Sequence, residues 1–366
     1  MKKNLSSIIF TVLCICLVPV TGLSSTTFVL NNSGHPVYGM NADGGHIPGF
    51  VIVNKRGVTK TTALVLPENR ISWTSQFGSV TFHAIAREFP SEGINEAGLF
   101  IATMAGAQLQ KDAYPEPDSR KPISQYQLVQ YQLDNFSTVA EVIASHQSIR
   151  IPKPQENSPA PPGSIHFLVG DSQGNCASIE FLDGEMVCHT GWTMPVKVLA
   201  NSTYDESISY FRRFRFIHIF FPITPIDSLR PSLYRFAVAA DSVKKYRPKR
   251  SGPAVDYAFQ ILQDVEVTPA NHTATWSFVY DSANKQIHFR SWSNDQIRWF
   301  DLSALDFSCT TPVKVLDITA DLSGDVTNSF VDYTKEIDLE MLNTLGLPEE
   351  VINAMASYPD TTVCTE

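Results

Sequence analysis

The stretch Leu23-Ser24-Ser25-Thr26-Thr27-Phe28-Val29-Leu30 joins the end of an export leader to the start of a β-strand, and the rest of the chain is organised around that junction. Lys2 and Lys3 precede a largely apolar run from Ile8 to Val20, and the short polar stretch Thr21 to Ser24 follows. That is the three-part layout of a secretory signal, and the apolar run falls short of the about 20 residues that a membrane helix needs. A signal peptidase requires small side chains one and three residues before its cut, and Gly22 and Ser24 supply them if the cut falls before Ser25. Residues 1–24 are therefore expected to be a removed leader, and residues 25–366 a single domain with a short helical C-terminal tail. Cys14 and Cys16 follow Leu13 and Ile15, neither of them small, which argues against a lipid-modified cysteine.

A cut at that bond gives Ser25 a free α-amine beside its own hydroxyl. An α-amine has a pKa of about 7.7 to 8, so much of it is neutral near neutral pH and can act as general base for the adjacent oxygen. Nucleophile and base would then occupy one residue. Ser24 and Ser25 also satisfy a plainer role as the small residues of a cleavage site, and these residues alone leave both readings open.

Charge and cysteine content narrow the class. The net charge of −9 argues against nucleic acid as a partner, and a hydrophobic fraction of 43% suffices for a substantial core. No run after the leader is long enough for a membrane helix, so the expectation is a soluble protein, secreted or periplasmic. Cys176, Cys188, Cys309 and Cys364 survive leader removal and allow three pairings. If Asp183-Gly184 forms a two-residue hairpin turn, Cys188 faces Ile179 rather than Cys176, which argues against a Cys176–Cys188 bridge. None of the four has the C-x-x-C spacing of a zinc site, the histidines are scattered singly, and no metal or organic cofactor is expected.

Along the chain, strand patterns come first: Thr26 to Asn31, Pro36 to Met40, Phe50 to Asn54, Ile71 to Trp73, Ser79 to Arg87 and Leu99 to Met104. Helical patterns follow at Ile123 to Leu133 and Val139 to His146, the second opened by Thr138 and Glu141 at capping-box spacing. A proline-rich passage from Pro152 to Pro162 reads as a surface loop. Strands resume at Ile165 to Val169, Cys176 to Leu182 and Glu185 to His189. Further helices are expected at Ser232 to Tyr246 and Val255 to Val265, then a hairpin over Thr275 to Tyr280 and Gln286 to Trp292. The tail from Ile337 to Ala356 reads as two short helices split at Gly346-Leu347-Pro348. This order predicts an α+β fold of two stacked antiparallel sheets with helices outside, rather than alternating βαβ units.

Gly170-Asp171-Ser172-Gln173-Gly174 matches the G-x-S-x-G pattern of a nucleophile elbow, which would make Ser172 an esterase serine. That motif needs a helix after it, and Cys176 to Phe181 reads as another strand, so a hairpin turn is the expected form.

Several stretches together resemble the choloylglycine hydrolase and penicillin V acylase family, linear-amide C–N hydrolases with an N-terminal nucleophile. They are Ser25-Thr-Thr-Phe-Val-Leu, Gly39-Met-Asn-Ala-Asp43, Val53-Asn-Lys-Arg-Gly57, Glu92-Gly-Ile-Asn-Glu-Ala-Gly-Leu99, Ile179-Glu-Phe-Leu-Asp-Gly184, Leu199-Ala-Asn-Ser-Thr-Tyr204, Ser232-Leu-Tyr-Arg-Phe236 and Thr275-Trp-Ser-Phe-Val-Tyr-Asp281. The order is kept from Ser25 to about Asp317. The resemblance implies a four-layer αββα sandwich and places the nucleophile at Ser25, the aspartate that holds its α-amine at Asp43, an oxyanion-hole asparagine at Asn201 and a nearby arginine at Arg235. Three departures stand out: Ser25 replaces the usual Cys, Met40 stands where Arg or Lys is usual, and Gly44 replaces an aromatic.

The function these residues imply is an exported amidohydrolase that opens a linear amide of an acylated amine, N-acyl, bile-salt-like or penicillin V-like, through an acyl-enzyme on Ser25. The second reading is a member that keeps the sandwich and binds an acyl or amide ligand without turnover. The partner expected is a small acyl amide; homo-oligomerisation is left open. Met40 is expected to face the nucleophile. The apolar stretch Phe214 to Ile223, with Phe220 and Phe221, is expected either to receive the acyl group or to fill the core as a buried strand or helix.

Overall fold

A computed structural model describes residues 25–62, 65, 69–84, 87, 89–105, 114–152, 165–220, 231–266, 274–344, 349, 352–353 and 364–365, with the backbone alone at 217–220, 341 and 344. Two large sheets dominate it. The first runs, edge to edge, Val198–Leu199, Thr26–Asn32 (β1), His35–Asp43 (β2), Ala274–Asp281, Gln286–Ser291, Asn294–Asp301 and Gly324–Asp325. Neighbours in it are antiparallel apart from Gly324–Asp325, which joins Asn294–Asp301 in parallel. The second runs Glu185–Thr190, Cys176–Leu182, Ile165–Gly170, Phe100–Ala105, Glu92–Asn95, Ser79–His83, Phe50–Asn54, Lys314–Asp317 and Val331–Asp332, all antiparallel.

The sheets stack through residues that alternate along each strand. Tyr38 packs on Phe100, and Phe82 on Phe278, with ring centroids 4.5 and 4.8 Å apart. The helices Tyr204–Phe220, Pro231–Lys245 and Ala254–Val265 cover the outer face of the first sheet, their buried residues continuous with the inter-sheet core. Leu128–Asn135 and Val139–Ser145 cover the second sheet over a separate cluster that includes Leu133, Val142, Phe167 and Ile179. The expected αββα arrangement of an α+β chain is thus the observed one.

Local chemistry accounts for several element boundaries. Thr138 and Glu141 close the capping box of Val139–Ser145. Asp183 and Gly184 take φ of 52° and 76°, the double left-handed turn that lets two strands pair with two residues between them, and Cys188 falls opposite Ile179. Gly170 to Gly174 is a hairpin turn: Asp171 accepts the N–H of Gln173 and of Asn175, and a strand follows, so the elbow reading of Ser172 is excluded.

Two boundaries differ from expectation by four residues or more. The strand from Ser79 ends at His83, and the helix expected from Ile123 begins at Leu128, because Ile123 donates its N–H to Arg150 and Gln127 closes a turn on Ser124. Helix Tyr204–Phe220 contains much of the apolar stretch for which strand and helix both stood open. The passage 153–164 and residues 345–348 lie outside the described residues. Cys309 and Cys364 are bonded, 55 residues apart, and Thr365 donates its N–H to Gly57, so the tail is tied to the second sheet. Cys176 and Cys188 are free thiols. Among the described residues no helix is long and apolar enough to cross a membrane.

Candidate functional site

β1 and β2 place the first candidates. Thr26 pairs with Asn41 and Thr27 with Met40, so Ser25 stands at the head of β1 beside the end of β2 that carries Asp43. The two-residue strand period divides these side chains. Thr26 and Asn41 point to the helices, where Thr26 Oγ1 accepts from Arg235 and Asn41 donates to the Leu262 carbonyl. Asp43 shares that face, whereas Thr27 and Met40 share the opposite, inter-sheet face with Ser25.

Asn201 ties the site together. It lies in the four-residue loop between strand Val198–Leu199, which pairs with β1, and helix Tyr204–Phe220. Its Oδ1 accepts the N–H of Ser25 at 2.8 Å and Nη2 of Arg235 at 2.6 Å, while its Nδ2 donates to the Ala105 carbonyl at 2.7 Å. Two donors on one side and an acceptor on the other fix the orientation of the amide, since a flip would set donor against donor. Arg235, in helix Pro231–Lys245, also donates Nε to Thr26 Oγ1 at 3.2 Å. Four of the sequence candidates therefore meet in one buried cluster: Ser25, Asn201 and Arg235 by hydrogen bonds, and Asp43 by its charge on Arg235.

The electrostatics are those of a desolvated site. Burial pushes the Asp43 carboxyl up to about 7, Arg235 works against that rise, and Glu266 adds to it. Burial also lowers the pKa of the Arg235 guanidinium, opposed by the Asp43 charge. Asp43 Oδ1 is buried without a hydrogen-bond partner. The peptide nitrogen of Ser25 is held by Asn201, and the Asn201 amide nitrogen is directed to Ala105.

Met40 is 1% exposed and part of the inter-sheet core. Phe214 packs between Tyr210 and Tyr234, and Phe216 is exposed on the same helix. The side chain of Phe220 and the whole of Phe221 lie outside the described residues. Among those residues no group of three or more His, Cys, Asp or Glu could hold a metal.

Sequence reasoning missed the supports of the site. Ser232 Oγ accepts the N–H groups of Asn201 and Ser202 at 2.9 and 2.8 Å, and Thr26 and Ala105 anchor Arg235 and Asn201. Glu266 accepts the N–H of Ala274, the residue opposite Asp43, and pairs with Arg290 at 3.3 Å. Thr26 and Ser232 lie in resembling segments, which was the only signal these supports gave.

Residues 26–220 match the profile of the linear amide C–N hydrolases, choloylglycine hydrolase family. A penicillin V acylase of Pectobacterium atrosepticum is 27% identical, over 84% of this chain and 90% of its own. Among solved structures, penicillin V acylase from Agrobacterium tumefaciens aligns with a TM-score of 0.68 at 25% identity, over 84% of this chain and 98% of its own. A conjugated bile acid hydrolase from Clostridium perfringens, solved as a single-site variant, aligns at 0.63 with 16% identity, over 81% and 99%, a likeness of fold.

Proposed function

The chain belongs to the linear amide C–N hydrolases of the choloylglycine hydrolase family, and from that premise we propose that it is an exported acylase whose nucleophile is the hydroxyl of Ser25. The observation that carries this reading is the grip on the Ser25 nitrogen, held at 2.8 Å by Asn201 Oδ1 in a buried cluster that also contains Arg235. When the bond between Ser24 and Ser25 is cut, that nitrogen becomes an α-amine. One N–H stays on Asn201, and the lone pair is left for the neighbouring hydroxyl proton.

The reaction then follows. Ser25 Oγ attacks the amide carbonyl as the α-amine takes its proton. The tetrahedral oxyanion collapses, the α-ammonium returns the proton to the leaving amine, and an ester remains on Ser25. Water attacks that ester with the same amine as base, and the acid departs. Arg235 supplies a buried positive charge that favours the neutral form of the amine and stabilises the developing oxyanion. Asp43 opposes that charge from the helix side and sets how much of it the amine feels. Penicillin V is the first substrate to try, because two relatives carry its name.

The test is intact-mass and N-terminal analysis of the exported protein, with a reactive acyl probe. A chain beginning at Ser25 and carrying one acyl adduct on that residue is expected. A mature chain that begins at Leu23 or Ser24 without further trimming would sink the mechanism. No adduct and no turnover across a broad amide panel would make this a member that binds acyl amides without cleaving them.

A further inference from the structure

The segments Ile179–Gly184, Leu199–Tyr204 and Ser232–Phe236 resemble the family in sequence, yet only Asn201 and Arg235 in them have a chemical part so far. The fold brings the three together. Glu180 belongs to strand Cys176–Leu182, and its neighbours Ile179 and Phe181 pack into the outer cluster, so the strand period turns Glu180 the other way, toward the inter-sheet side. There its carboxylate meets the first turn of helix Tyr204–Phe220. Oε1 and Oε2 accept the N–H of Tyr204 at 3.0 and 3.1 Å. Glu180 is 1% exposed.

A carboxylate at this point is favoured twice, by the unpaired N–H groups of a helix start and by the positive end of the helix dipole. It is also pinned laterally. His166 Nδ1 lies 3.1 Å from Oε1, His189 Nε2 lies 3.9 Å from Oε2, and the His189 ring lies against that of Tyr204, tilted by 35° with centroids 4.9 Å apart. Tyr204 is fixed at its far end, where its hydroxyl donates to the Val196 carbonyl.

Tyr204 is three residues beyond Asn201. The loop that carries Asn201 is therefore clamped from two sides, by Ser232 Oγ on the N–H groups of Asn201 and Ser202, and by Glu180 on the N–H of Tyr204. We infer that Glu180 is a positioning residue: it acts through the start of the helix to hold Asn201 at the distance from Ser25 and Arg235 that the reaction requires. The role in catalysis rests on the acylase reading; the hold on the loop does not. A displacement of about 1 Å in such a group costs on the order of 100-fold in rate, so a small slackening of this clamp is visible in turnover.

Three variants and two measurements test it. In Glu180→Ala no acceptor remains for Tyr204. In Glu180→Asp the charge stays but the side chain is one methylene too short to reach, which keeps the test open should the alanine variant fold poorly. In Glu180→Gln the amide oxygen can still accept. Amide hydrogen exchange read by mass spectrometry on the peptide covering Asn201 to Tyr204 should be faster by about 10-fold or more in Glu180→Ala and Glu180→Asp, and close to the parent in Glu180→Gln. Labelling of Ser25 by the acyl probe and steady-state kinetics should show kcat down by roughly 10- to 100-fold in the first two, KM within about threefold, and most of kcat recovered by Gln. Unchanged exchange in both Glu180→Ala and Glu180→Asp would overturn the inference whether or not the protein turns over any substrate. Equal losses in all three variants would overturn it as well. A parent protein that never labels, together with faster exchange in the variants, would overturn the acylase reading and support the clamp.

Discussion

The side chain of Asn201 accepts the backbone N–H of Ser25 across 176 residues of sequence. The oxygen that receives this bond also receives Arg235. A group that holds two donors this way does more when it is deleted than remove one contact, since both donors are left buried and unsatisfied.

Asn201→Ala is expected to lower kcat by roughly 100- to 1,000-fold, the range seen when a donor at such a site is removed, with a loss of stability of about 3 kcal/mol or more, because two buried donors, one of them charged, lose their acceptor. Steady-state kinetics and urea unfolding on the same preparation check both numbers. A twofold effect on kcat would show that the grip on Ser25 is dispensable.

Ser25→Ala should abolish acyl transfer, by a factor on the order of 1,000 or more, and leave the fold intact. Ser25→Cys should retain or raise activity, because a thiol is the better nucleophile near neutral pH and is small enough for the same place. Probe labelling followed by peptide mapping reads the outcome, and full labelling of Ser25→Ala would put the nucleophile elsewhere.

Met40→Arg was set up by the sequence as a choice between altered activity and lost stability, and the 1% exposure of Met40 inside the core favours the second. Burying a guanidinium there without a partner is expected to cost about 3 kcal/mol or more. A thermal melt should fall by several degrees; an unchanged melt with altered kinetics would instead mean that the arginine reaches the nucleophile's surroundings.

Glu92 adds a pH dependence of stability. It is fully buried, it accepts from the Trp276 indole, its Oε2 is unpartnered, and burial raises its pKa from 4.5 to about 8 against the lowering effect of that hydrogen bond. A carboxyl whose folded pKa exceeds the unfolded one keeps its proton longer in the folded state. Its contribution is complete below the unfolded pKa and is lost as pH rises through the folded value. Glu92→Gln keeps an acceptor for the indole and removes the proton. The stability of this variant relative to the parent should therefore improve by roughly 3 kcal/mol from about pH 5 to about pH 8.5. A difference that stays flat in urea unfolding over that range would count against a neutral Glu92.

What the sequence made legible was local. Thr138 and Glu141 announce a helix start within four residues, Asp183-Gly184 announces a turn, and the alternation of Cys176 to Leu182 announces a strand with one face buried. Helix Tyr204–Phe220 was half hidden. Its spaced buried residues Tyr204, Ile208, Phe211 and Phe214 are overrun from Phe214 onward by apolar residues at nearly every position, which erases the period. Ser25 was named through the leader and its cleavage rule, and Asp43, Asn201 and Arg235 through the resemblance, residue by residue. How they connect was not legible, because the bonds from Asn201 to Ser25, to Ala105 and to Ser232 span the whole fold and leave no spacing to read. The bond between Cys309 and Cys364 was one of several pairings for the same reason.

Ser25 is 6% exposed, and its nitrogen is already engaged. If a leader is cut ahead of it, the cut adjoins a residue that is buried in the folded chain. The cut then has to come first, while the chain is still emerging and β1 has not yet found its neighbours. Such an order makes maturation a one-way street: a precursor that folded uncut would carry the Ser25 nitrogen as a buried peptide group with no free amine, and would be stranded without its base.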